Sequence, residues 1–433
     1  MPKRNILKIA SPGITRPIPT FGEIFADQAV IDLVRADQNG PPQLMLWDGR
    51  KETIALAVRH SGNRYVPGLI EFSVLRELGL PSHCRPHGTT RELLTQMRKL
   101  ITSFVGLDEK SASLIGRVVL CSHLIEALPV APSVMIVGPD IAQGNQLMAL
   151  LRCVCRHSLS LTGVTPAGFC SLASGAKFTY LINQEKLSHK LLGLLDDASS
   201  RDRKIPFRGR LLDLFGVQVI HAVGSEGPLR AIPVSMIPLG QKLPAFDLDT
   251  EHQITDEFQA KLLNFRRANL AAARSLHFDT SKFSFALRDL AWSLAAATPD
   301  DQQLQNEAFE LLQDMDKQIR SENWVDLNAI VVESLLVVCK ENESSEAFAH
   351  VSDLAQIAQE ILKRRGGEEA PMDVGQYGKR LKFLGFTTER DAKGKKLRLT
   401  ETVRNRAQQL ARNLRVAGSG DESPGDQAKT DQT

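Results

Sequence analysis

Val134-Met135-Ile136-Val137-Gly138-Pro139-Asp140-Ile141-Ala142-Gln143-Gly144-Asn145-Gln146-Leu147-Met148 is the stretch on which the fold turns. A short apolar run ends in glycine, a second glycine follows, and a helical pattern then carries on to His157. A working phosphate loop reads G-x-x-x-x-G-K-[ST]: backbone N–H groups cradle the phosphates, lysine neutralises them and the hydroxyl holds Mg²⁺. Here the glycines stand one residue too far apart, and Asn145 and Gln146 occupy the lysine and hydroxyl positions. Asp140 inside the loop adds a charge that repels phosphate at close range. Two readings stand side by side: a phosphate loop that has lost its charge-handling residues, or ordinary turn glycines of an α/β sheet. A helix N-terminus can still hold an anion without lysine.

Outward from this stretch, element types alternate. Helix is expected over Asn145 to His157 and Ser188 to Ser199, and strand over Phe178 to Ile182, Val217 to Val223 and Arg230 to Ile237. Such alternation predicts a parallel, doubly wound sheet that binds ligands at the carboxyl ends of its strands. The strand Phe178 to Ile182 runs into Asn183-Gln184-Glu185, so an amide replaces the expected magnesium-holding acid and Glu185 is the substitute. Upstream, Ala29 to Val34, Gln43 to Trp47 and Thr53 to Val58 alternate apolar and polar residues between turns, which predicts a small antiparallel β module. Thr89-Thr90 with Glu92 opens a helix carrying Leu93, Met97, Leu100, Ile101 and Phe104, and a second runs from Glu109 to Ala127.

From Asp256 to Lys363 the pattern is helical almost throughout. After Gly366-Gly367 come a helix from Val374 to Leu384 with Val374, Leu381 and Leu384 inward, a hairpin from Phe386 to Leu399, and a basic helix from Glu401 to Arg415. The expected class is α/β: a P-loop-like parallel sheet core with an N-terminal small β module, a helical region and a C-terminal winged helix. The segments are 1–85, 86–255, 256–325 and 326–415, with a disordered tail over 416–433.

The 433 residues carry a net charge of only +3, but Lys363 to Arg415 holds 15 Lys and Arg against 6 Asp and Glu, a balance of +9. That concentration argues for an anionic partner, DNA. Gln376, Lys379, Arg380 and Lys382 on the reading helix, with Arg390, Lys393, Lys395, Lys396 and Arg398 gathered at the hairpin tip, are the DNA-binding candidates. The same hairpin also suits protein docking.

The chain from His87 to Arg415 resembles the primase/helicase-like proteins of bacterial mobile elements and phages, with their AAA+ or RecA-type P-loop core. Leu120-Cys121-Ser122-His123-Leu124, Leu128-Pro129, Val134 to Gly138, Tyr180-Leu181-Ile182 and Lys379 to Thr400 carry it. The resemblance implies ATP held by the loop lysine and threonine and activated by a strand-end acid; this chain departs at all three. Nucleotide-site candidates are Gly138, Gly144, Asn145, Gln146, Glu185, and Arg266 or Arg267 as a sensor arginine, with a solvated arginine pair as the plainer account. No catalytic residue, cofactor or metal is assigned. The expected function is DNA association of replication or mobile-element type by a non-hydrolysing core, with an ATP-dependent helicase and an interaction scaffold as alternatives, and with a second copy or a replication protein as further partners.

Cys153, Cys155, His157 and Cys170 are rejected as a zinc site, because positions two apart on a helix diverge. His83, Cys84 and His87 lack an orienting group and an oxyanion turn. Asp196-Asp197 reads as a capped helix end or a solvated loop. No long apolar run, signal segment or disulfide framework is present, which fits a cytoplasmic chain outside membranes.

Overall fold

The computed structural model describes residues 16–35, 40–68, 71–138, 140–172, 175–222, 231–236, 243–284, 287–322, 327–342, 347–364, 372–392, 394–414 and 416. The expected disordered tail beyond Val416 and the candidate Lys393 lie outside these residues. The chain divides into two compact units, Met1–Lys282 with Ala286–Leu312, and Phe283–Phe285 with Gln313–Thr433.

The first unit opens with seven short strands: β1 Ile18–Thr20, β2 Gly22–Ile24, β3 Val30–Val34, β4 Gln43–Trp47, β5 Glu52–Ala55, β6 Val58–His60 and β7 Asn63–Pro67. The strands β2-β3-β4-β5 form an antiparallel sheet, as the alternating pattern predicts, whereas β1 joins β7 in parallel. Helix α1 Phe72–Glu77 follows, then α2 Thr90–Val105 and α3 Glu109–His123. The entry to α2 is a capping box in which the Thr89 hydroxyl accepts from the Glu92 N–H while the Glu92 carboxylate accepts from the Thr89 N–H.

Beyond these come β8 Ser133–Val137, α4 Ile141–Val154, β9 Ser158–Leu161, α5 Pro166–Ser171, β10 Thr179–Asn183, α6 His189–Ala198, the hairpin β11 Ile205–Phe207 and β12 Arg210–Leu212, β13 Val217–His221 and β14 Ile232–Ser235. Five of these strands pair in the order β14-β8-β13-β10-β9, all parallel. After β8 the chain crosses to the far edge, winds back through β10 and β13, then passes β8 to add β14; side-by-side winding does not give that order. Helix α4 begins at Ile141, four residues before the expected start at Asn145, and ends at Val154, so Cys155 follows the helix in extended conformation. Helix α7 Leu248–Ser275 and α8 Arg288–Ala296 complete this unit together with the first part of α9 Gln302–Glu322.

The β module and the parallel sheet share one core. Ile31, Leu33 and Leu44 from the module cluster with Met135, Phe169, Tyr180 and Ile220 from the sheet and its helices. At their junction lies a buried ionic cluster. Asp32, in the middle of the apolar strand Val30-Ile31-Asp32-Leu33-Val34, accepts from Arg156 Nη2 at 2.8 Å and forms an ion pair with Arg266, whose Nε lies 2.6 Å away. Glu126 accepts from Arg156 Nη1 at 3.0 Å and from Arg266 Nη1 at 2.6 Å, and Arg266 also donates to the His123 carbonyl at 2.6 Å. Two acids and two guanidiniums thus cancel, which is the condition for burying charge at all. Burial alone would raise the Asp32 and Glu126 carboxyls; the two guanidiniums outweigh it, leaving Asp32 far below the usual carboxylate range and Glu126 at about 2.

The second unit is built from α10 Leu327–Glu341, β15 Phe348–His350, α11 Val351–Arg364, α12 Val374–Phe383, β16 Glu389–Asp391, β17 Gly394–Arg398 and α13 Glu401–Leu414. The strands pair antiparallel in the order β15-β17-β16. Ile330, Leu335, Leu354, Ala358, Tyr377, Leu381 and Leu397 fill its core. The buried Tyr377 hydroxyl meets Ser334 Oγ at 2.6 Å, giving the α12 ring a polar anchor. Arg404 on α13 donates to the carbonyls of Leu399, Cys339 and Asn342.

Removing the Arg266 guanidinium from the ionic cluster leaves two buried carboxylates sharing Arg156, with one negative charge uncompensated. Arg266→Ala is therefore expected to cost about 3–5 kcal/mol, read as a lowered urea midpoint. Acid should act on the same region. Burial holds His123 and His157 at about 3, against an ordinary 6.5, so the unfolded chain binds those protons first. Stability is expected to fall as pH drops from 6.5 toward 3, with Glu126 adding a further loss below its unfolded value of 4.5. Urea midpoints measured at stepped pH check both parts.

Candidate functional site

Two regions carry the residues that the sequence singles out: the carboxyl ends of the parallel strands, and α12 with the β15-β17-β16 sheet.

At the sheet, three residues separate Val137 from Ile141, because Asp140 caps α4 by accepting from the Gln143 N–H at 2.9 Å. The donor that a phosphate would use is thereby held by the chain's own carboxylate. Gly138 has φ near +129°, and a Cβ there would stand 2.3 Å from the Met236 carbonyl oxygen, so glycine serves a close approach to the segment after β14. Gly144 lies inside the first turns of α4, where a Cβ would stand 2.7 Å from the His221 ring. Its role is helix-to-strand packing over the end of β13.

The two amides are likewise occupied. Asn145 Oδ1 accepts from Asn183 Nδ2 at 2.8 Å, joining α4 to the end of β10, and Gln146 Nε2 donates to the Phe104 carbonyl at 2.7 Å. Thus Gly144, Asn145 and Gln146 sit together with Asn183 and His221 at the carboxyl ends, while Glu185 is exposed beyond them. Gln184 turns its Oε1 to the Val164 N–H at 2.7 Å.

Arg266 and Arg267 stand elsewhere. Arg266 is fully buried in the ionic cluster, which corrects both the sensor and the solvated-pair expectations, because a side chain held by two carboxylates and a carbonyl reaches neither phosphate nor water. Arg267 pairs with Glu52 at 3.1 Å and stacks 4.1 Å over the Trp47 ring, so it too ties α7 to the β module. His221, which the sequence reading missed, is buried with Nδ1 unpartnered among the described residues, and burial lowers its pKa. Its signal was a polar residue closing an apolar strand.

In the second unit, Asp373 caps α12 by accepting from Gln376 N at 2.7 Å. The helix buries Tyr377 and Leu381 and exposes Gln376, Lys379, Lys382 and Phe383, the last 78% exposed. Val374 is half exposed rather than inward, since Tyr377 takes the core position one turn on. Arg380 donates to Asn328 Oδ1 at 3.0 Å.

The hairpin cations divide between two faces, because strand residues alternate. Arg390 stands directly opposite Lys395 across the β16–β17 pair, both exposed. On the other face Lys396 lies 4.2 Å over the Phe348 ring and 3.4 Å from Asp391, with Arg398 5.7 Å from the same ring. The sheet thus does not gather these four at one tip, as the sequence alone suggests.

Among the described residues, no group of acids, histidines and cysteines is placed to hold a metal ion, and no helix is long and apolar enough to cross a membrane. No protein-family model matches the chain, and no curated protein matches it. Among solved structures it is similar to the A form apo structure of the NrS-1 C-terminal region, at 9% identity and TM-score 0.36, covering 85% of this chain and 96% of that one. A second structure of that region gives 10% and 0.34 over the same shares, and Drosophila ORC bound to DNA gives 11% and 0.19 over 81% and 96%. Likenesses this distant assign no family.

If the carboxyl-end residues are structural ties, restoring the motif letters gains nothing. Asn145→Lys with Gln146→Thr is expected to lose about 1–3 kcal/mol through two lost hydrogen bonds and to acquire no ATP binding, as equilibrium dialysis against labelled ATP would measure.

Proposed function

We propose that this chain is a DNA-associated protein of replication or mobile-element type that works by binding, its first unit a non-hydrolysing P-loop-like scaffold and its second a winged helix. The observation that carries the reading is the element order of the second unit. The order helix, strand, two helices and two-stranded hairpin supports reading α12 as a reading helix, with Gln376, Lys379 and Lys382 on its exposed face.

Electrostatics supports the same reading. Like charges directly opposite on neighbouring strands destabilise a sheet, so the Arg390 and Lys395 pair is better tolerated with an anion between or above it. Phosphate oxygens are such anions, and contacts of this kind position a protein on a duplex without reading its sequence. The scaffold role rests on the occupied donors of α4 and on the replaced lysine and hydroxyl. A protein-docking wing is the second reading, favoured by the exposed rings of Phe383 and Phe348.

A salt-titrated duplex-binding assay tests the proposal. Affinity is expected to fall log-linearly with salt, and Arg390→Glu with Lys395→Glu should weaken binding by about tenfold or more and flatten the slope by about two phosphate contacts. Unchanged duplex affinity in that variant, or none in the natural chain, would favour the docking reading.

A further inference from the structure

At the amino ends of the parallel strands, on the edge away from α4's first turn, the first unit carries a half-open cavity of about 520 Å³. Its walls come from the β1–β2 corner, from Glu126 and Arg156 of the ionic cluster, and from Lys177, Arg201 and Arg274. That size lies within the range of small-molecule sites, roughly 300–1,000 Å³.

The charge on the walls is not balanced internally. Lys177 shares Asp213, its one carboxylate among the described residues, with Lys204, at 2.6 and 2.9 Å. Arg201 spends its Nε and one Nη on the Leu128 and Ile125 carbonyls and has no carboxylate within ion-pair distance among the described residues, Glu126 acting on it from farther off. Arg274, exposed in the last turn of α7, makes no ion pair or hydrogen bond among them. A guanidinium without a carboxylate beside a cavity is a fork suited to a phosphate.

Two further features narrow the ligand. The Phe21 ring lies on the Gly68 backbone so closely that a Cβ at residue 68 would stand 2.3 Å from it, and the ring is left partly open to the cavity. A planar ring can stack there. Glu23 and Glu126 bring carboxylates to the same lining, which disfavours a polyanion and offers acceptors to amino or hydroxyl groups.

We propose that this cavity binds a nucleoside monophosphate, with Arg201, Arg274 and Lys177 toward the phosphate and Phe21 against the base. The site is separate from the strand carboxyl ends and does not rest on the DNA reading.

Calorimetric titration of the full chain with AMP, ATP and inorganic phosphate tests it. AMP is expected to bind more tightly than ATP or phosphate. Arg274→Glu, on an exposed side chain, should weaken AMP at least about tenfold with circular dichroism unchanged. Phe21→Leu should weaken AMP and leave phosphate as it was. No AMP binding by the natural chain, equal affinity in Arg274→Glu, or ATP bound more tightly than AMP would each overturn the proposal. Duplex affinity measured on Arg274→Glu should match the natural chain; a fall would assign these cations to DNA and overturn the nucleotide site.

Discussion

A carboxylate in the centre of an apolar strand sets the terms for the first unit. Asp32 lies between Ile31 and Leu33, all three buried, and can remain ionised there only because Arg156 and Arg266 reach it from two different parts of the chain. Arg156 follows α4 and leads into the edge strand β9; Arg266 lies about two thirds of the way along α7; Glu126 precedes β8. Each of the four charges needs the others, so the β module, the parallel sheet and the long helix hold one mutual arrangement. Ordinary apolar packing tolerates sliding and repacking more readily than this directional set of bonds does.

That cluster explains why an arginine pair after the sheet proved a poor guide to chemistry. Arg266 and Arg267 are adjacent in sequence, yet both point toward the β module, one into its core and one onto Trp47. Nothing local distinguishes a structural guanidinium from one that senses a ligand, because the partner acids come from residues 32, 52 and 126. The parallel sheet was legible because strand periods and glycine positions are local signals. The strand order was not, since a jump across two strands leaves no mark on the letters themselves.

The start of α4 was misplaced for a physical reason. Asn145 is a common residue to open a helix, and the second glycine before it invites a break. Asp140 is the stronger cap: its carboxylate accepts from the N–H three residues on, and the stretch to Gly144 then closes as a helical turn. Gly144 is accepted within the helix because the His221 ring lies where any side chain would go. In the second unit the succession of helices and the hairpin could be read from periodicity, but the division of the cations between sheet faces needed the register of β16 against β17. The cations at the amino ends of the strands were equally hidden, being single residues far apart in the chain.

The short span from Val137 to Ile141 bears on whether this turn can wrap a nucleotide. A loop that wraps a triphosphate needs enough backbone to run around the phosphate before the helix begins. With only three residues between strand and helix, the limiting quantity here is contour length, and substitution leaves that quantity unchanged. Any route from this chain to a phosphate-wrapping loop therefore passes through inserted residues, or through unwinding the first turn of α4 and giving up the contacts it makes with β10 and β13.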